Sequence, residues 1–123
     1  NSAKNQIIMD AYNANPTSME LAMRSFADFQ GSAKIAIIGD MLELGEETEG
    51  EHKHILEFAM SQHFEKLFLV GPVFKKIAVK TDNQCFEHVE EACDYFKKYP
   101  PEHKTILIKA SRGIKLEKLL NVL

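Results

Sequence analysis

Three short clusters in this chain place hydrogen-bonding side chains directly after apolar runs. Asp10 closes Gln6-Ile7-Ile8-Met9 and is followed by Tyr12, Asn13, Asn15 and Pro16. A carboxylate at a strand end can accept from both hydroxyls of a nucleotide ribose, the alternative being a cap for its own loop. Tyr12, Asn13 and Asn15 add a hydroxyl and two amides, which donate as well as accept and so suit a peptide-like substrate. Asn15 is equally placed to cap a helix opening at Pro16. The second cluster follows Ile35-Ala36-Ile37-Ile38-Gly39, where Asp40 and Glu43 can hold an ammonium group or orient a loop. The third is Lys109, Ser111 and Arg112, a cationic and hydroxyl group suited to a carboxylate, with Arg112 able to bind it bidentately. Its alternative is a surface loop with one ion pair.

These clusters need a scaffold that brings strand ends together, and the hydrophobic pattern supplies one. It predicts strands near 5–10, 33–39, 66–70, 84–86 (weak) and 104–110, alternating with helices at 16–29, about 49–62, 73–79, 87–98 and 114–122. Alternation of this kind predicts an α/β fold: a three-layer, Rossmann-like domain with a mostly parallel sheet of about five or six strands and helices on both faces. In such a sheet Asp10, Asp40, Gly71 and Ser111 share one rim. Met19, Met23 and Phe26, and likewise Leu116, Leu119, Leu120 and Leu123, recur at helical spacing and read as core. No linker or repeat divides the 123 residues, which read as one domain excised from a larger protein, with Asn1-Ser2-Ala3 as a cloning remnant.

Several chemistries are excluded or disfavoured. A net charge of −3 with scattered Lys and Arg offers no field for nucleic acid. Apolar runs are far too short for a bilayer, and the expectation is a cytoplasmic protein without membrane contact. The two cysteines, Cys85 and Cys93, lack zinc-type spacing, and His52 and His54, two apart on a helix, point in different directions. No metal site and no intrinsic cofactor are expected. Glu46, Glu47, Glu49 and Glu51 read as a solvated helix start. There is no glycine-rich phosphate loop ending in Gly-Lys-Ser or Gly-Lys-Thr, so the chain alone has nothing to cradle a triphosphate.

The strings Asp10-Ala11-Tyr12-Asn13-Ala14-Asn15-Pro16, Gly39-Asp40-Met41-Leu42-Glu43-Leu44-Gly45 and Lys109-Ala110-Ser111-Arg112-Gly113 occur in this order across nearly the whole chain. Together they resemble the C-terminal domain of the Mur ligases, and within them the branch that adds D-alanyl-D-alanine; Ala110 stands where glycine is usual. The resemblance implies a peptidoglycan-synthesis ligase that joins D-alanyl-D-alanine to UDP-N-acetylmuramoyl-tripeptide through an acyl phosphate, using ATP and magnesium. A central domain of the same polypeptide would supply the phosphate loop and metal ligands, and an N-terminal domain would hold the UDP sugar. This domain would then be inactive alone and would act by closing over the others. The resemblance assigns Asp10 to the ATP ribose. It places Tyr12, Asn13, Asn15, Asp40, Glu43, Lys109, Ser111 and Arg112 on the substrate or interdomain side, with no catalytic residue of the domain's own. The alternatives are a free-standing nucleotide- or peptide-binding module, or the C-terminal domain of another Mur or folylpolyglutamate ligase.

Overall fold

The computed structural model describes residues 4–10, 14–31 and 33–123. Five strands, β1 (Gln6–Asp10), β2 (Lys34–Gly39), β3 (Lys66–Val70), β4 (Gln84–Phe86) and β5 (Thr105–Lys109), form one sheet in the order β1-β5-β2-β3-β4. Every pairing is parallel. The last strand in sequence therefore lies between the first two. β2 and β5 are almost wholly buried, as their unbroken apolar runs require when both faces are covered.

Helices α1 (Pro16–Asp28), α2 (Thr48–Ser61) and α3 (Pro72–Ile77) cover one face, where Met19, Met23, Phe26, Ile55, Leu56 and Phe74 pack against Ala36, Ile38, Leu69 and Leu107. α4 (Val89–Lys98) and a 3-10 segment, Leu116–Asn121, cover the other, packing Phe96, Leu116 and Leu119 on Ile37, Ile106 and Ile108. The faces follow from alternation along the strands: Ile106 and Ile108 look one way, Leu107 the other. No helix among the described residues is long and apolar enough to cross a membrane.

The predicted last helix over 114–122 is not an α-helix. It is two 3-10 segments, Arg112–Ile114 and Leu116–Asn121, separated by Lys115 in the left-handed region at φ 64°. With three residues per turn, Leu116, Leu119 and Val122 share a side, which is why Leu120 remains 40% exposed.

The turn from β3 into α3 depends on Gly71. Its φ of 130° lies where side-chain-bearing residues are strained, and a Cβ there would fall 2.3 Å from the carboxyl carbon of Asp40. Gly71→Ala should therefore destabilise the domain by about 3 kcal/mol or more, through backbone strain and displaced carboxylate hydrogen bonds. Urea unfolding measures this directly, and a loss below about 1 kcal/mol would show that the turn has room to relax.

Candidate functional site

β1 and β2 both exit into helices on the same face, α1 and α2, whereas the chain leaving β5 turns to the opposite face. The carboxyl ends of β1, β5 and β2 thus diverge, which is the arrangement that opens a crevice in an α/β sheet. A cleft of about 450 Å³ lies there, lined by Ala14, Asn15, Leu42, Glu43, Leu44, Ser111, Arg112 and Gly113. Two other hollows, of about 380 and 480 Å³, sit at the amino ends of the strands around His63, Phe64 and Glu65, away from all three sequence clusters.

The cleft walls are pinned by side chains from neighbouring segments. Ser111, buried, accepts the Leu42 N–H at 2.9 Å through Oγ and donates to the Ala14 carbonyl at 3.4 Å. Its own N–H donates to the Asp40 carbonyl at 3.2 Å. One residue after β5 therefore joins the loops after β1 and β2. Met41 N–H donates to Nε2 of His52 at 2.9 Å, which leaves Nδ1 of that ring to donate to the Thr48 carbonyl at 2.6 Å. His52 is fully buried, its ring edge-on to Phe74 at 4.7 Å between centroids.

Asp40 is only 1% exposed. Its Oδ2 accepts from Val73 N–H at 2.8 Å and its Oδ1 from Phe74 N–H at 2.9 Å, so both oxygens serve the first turn of α3. Both oxygens are thereby occupied by the start of that helix. Glu43, the residue after Leu42, is exposed on the cleft rim in a left-handed conformation at φ 65°.

Asn15 caps α1: its Oδ1 accepts from Ser18 N–H at 2.8 Å while Ser18 Oγ accepts from Asn15 N–H at 3.0 Å. It also lines the cleft. Lys109 requires a correction. It does not line the cleft with Ser111 and Arg112; at 1% exposure it runs beneath the rim to Asp10, with Nζ 2.7 Å from Oδ2. Asp10 keeps 56% of its side chain exposed, a carboxylate anchored from below and open above. Tyr12 and Asn13 lie outside the described residues. Among the described residues no group of three His, Cys, Asp or Glu is arranged to hold a metal ion. Burial pushes both thiols upward, Cys85 and Cys93 alike.

A family profile for the Mur ligase, glutamate ligase domain matches residues 1–112. The chain belongs to this family. Among its relatives, UDP-N-acetylmuramoyl-tripeptide–D-alanyl-D-alanine ligase of Rickettsia prowazekii is 31% identical over 98% of the chain and 28% of that protein. The ligase of the same name from Bacillus subtilis is 34% identical over 93% of the chain and 27% of that protein. The chain thus spans little more than a quarter of these relatives. A crystal structure of MurF from Acinetobacter baumannii superposes with a TM-score of 0.82 at 28% identity, covering 98% of the chain and 28% of that structure. The Mur ligase fold accommodates Ala110 easily here: its methyl is buried and occupies the space above Gly39, where a Cβ would meet it at 2.6 Å.

His52 lay outside the three sequence clusters, and Ala14, Leu42, Leu44 and Gly113, though within the quoted strings, were not among the expected site residues. His52 did carry a signal, because it falls on the buried stripe with Ile55, Leu56 and Ala59. The others reach the cleft only through the crossing of β5 between β1 and β2.

Asp40 makes the stability of this rim sensitive to pH. Burial holds its carboxyl above the ordinary 3.8, with the Phe74 and Val73 amides offsetting part of the effect. The folded state therefore binds more protons between 3.8 and the raised value, and the contribution is complete below 3.8 and lost as pH rises through the raised value. The stability of wild type relative to Asp40→Asn should be larger near pH 4 than near pH 7, measured by urea titration at about both values. A difference that grows towards neutrality would show that the two amides outweigh burial.

Proposed function

We propose that this chain is the C-terminal, closing domain of an ATP-dependent, cytoplasmic ligase that adds D-alanyl-D-alanine to UDP-N-acetylmuramoyl-tripeptide in peptidoglycan synthesis. What carries the proposal is the match of 93–98% of the chain, at 30% identity or more, to several ligases of that one name. The cleft supports it chemically. Apolar Ala14, Leu42 and Leu44 stand beside the acidic Glu43, the amide of Asn15, the Ser111 hydroxyl and the basic Arg112, a lining that suits a small zwitterionic peptide.

In this reading ATP phosphorylates the tripeptide carboxylate, the dipeptide amine attacks the acyl phosphate, and phosphate leaves. Magnesium and the triphosphate are held by the central domain of the same polypeptide, since the present sequence contains no phosphate loop. The part played by this domain is to present the amine and exclude water as it closes. Glu43 faces the dipeptide ammonium, and Ser111 contacts its amide or carboxylate. Arg112 either binds that carboxylate or pairs with an acidic group of the central domain as a closure latch. The resemblance assigns Tyr12 and Asn13 to the substrate or interdomain side as well. Asp10, steadied by Lys109, accepts from the ribose hydroxyls.

Two measurements test the proposal. The isolated chain should release no phosphate above blank with tripeptide nucleotide, ATP, magnesium and D-alanyl-D-alanine; sustained turnover would place the catalytic apparatus here. In the full-length ligase, Asp10→Asn should raise the KM for ATP by roughly tenfold while leaving that for D-alanyl-D-alanine nearly unchanged, because a charged acceptor becomes a neutral one. The unfolding midpoint should also fall, since Lys109 keeps an acceptor but loses its opposite charge. A lower midpoint with wild-type kinetics would leave Asp10 as the partner of Lys109 and nothing more.

A further inference from the structure

The apolar wall of the cleft contains one side chain with an unusual seat. Leu42 is 43% exposed, which alone would be ordinary. Its backbone, however, is fixed by Ser111 Oγ, and the residue before it by His52, so the isobutyl group projects from a rigid support. It lies on bare backbone: a Cβ built on Gly113 would come within 2.8 Å of Leu42 Cδ1. Gly113 has no positive φ that would demand glycine. What its missing side chain provides is the space in which Leu42 lies.

We propose that Leu42, seated on Gly113, sets the size of the side chain admitted on the C-terminal residue of the incoming dipeptide. The inference rests on the reading that this cleft holds D-alanyl-D-alanine. Arg112, the cation suited to a carboxylate, immediately precedes Gly113, and with Ser111 it lines the same hollow. A carboxylate bound there brings its own residue's side chain against Leu42. A methyl group fits beside the isobutyl group, and a longer branched side chain overlaps it. Ala14 and Leu44 complete the apolar wall but do not rest on Gly113.

The test compares kcat/KM of the full-length ligase for D-alanyl-D-alanine and D-alanyl-D-leucine. Leu42→Ala empties a volume close to that of the added side chain and should raise the ratio in favour of D-alanyl-D-leucine by about tenfold or more, chiefly through KM. Gly113→Ala pushes Leu42 Cδ1 into the cleft and should move the same ratio the other way. Both variants should keep unfolding midpoints near wild type, which separates selectivity from folding. Equal losses for both dipeptides, or an unchanged ratio in Leu42→Ala, would overturn the inference and make Leu42 a surface covered elsewhere in the ligase. A wild-type enzyme unable to use D-alanyl-D-alanine would instead sink the reading of the cleft, and this inference with it.

Discussion

A carboxylate out of reach of water holds the upper edge of this domain together. Asp40 directly follows β2, yet its two oxygens belong to α3, which begins after the next strand. Removing a carboxylate from water is costly unless its lone pairs are met, and here two amides of a helix start meet them. That arrangement leaves no space on Gly71, aligns His52 3.9 Å away, and starts the loop 41–44 from a fixed point. Met41 and Leu42 are then caught in turn by His52 and Ser111. A loop held at three successive residues can present Glu43 in a strained conformation without the strain dispersing into neighbouring turns.

The division of labour between the rim residues follows from burial. Asp40, His52 and Lys109 are buried and act on protein: a helix start, a backbone N–H, an ion pair. Asn15, Leu42, Glu43 and Arg112 are exposed and line the opening. Ser111 stands between the two groups, buried but still part of the cleft surface. The cleft surface is therefore a thin layer of side chains backed by a buried polar framework.

Strands were legible in the sequence because buried parallel strands read as continuous apolar runs, and the rim followed from parallel order alone. Asn15 as cap was legible because capping is local, with Ser18 three residues on and Pro16 between. The final segment was misread for a physical reason: Leu116 and Leu119 satisfy helical and 3-10 spacing alike, and only the left-handed Lys115 and the exposure of Leu120 distinguish them. Lys109 was misplaced because its partner lies on another strand. That Asp10 faces Lys109 depends on β5 pairing with β1, a contact 99 residues apart that no local pattern announces. The seat of Leu42 on Gly113 is hidden in the same way.

The position of β5 also bears on how the domain comes into being. β1 finds its only described strand partner in β5, and β2 has β5 on its other side, so until residues 105–109 exist the sheet is in two pieces. As a ribosome makes the chain from its N-terminus, β2, β3 and β4 can pair early, while β1 has no described strand partner until nearly a hundred residues have followed. The last strand closes that long loop, pairs Asp10 with Lys109, and sets Ser111 between the first two rim loops. A nascent or truncated chain lacking its final segment therefore lacks the side of the cleft formed by Ser111, Arg112 and Gly113.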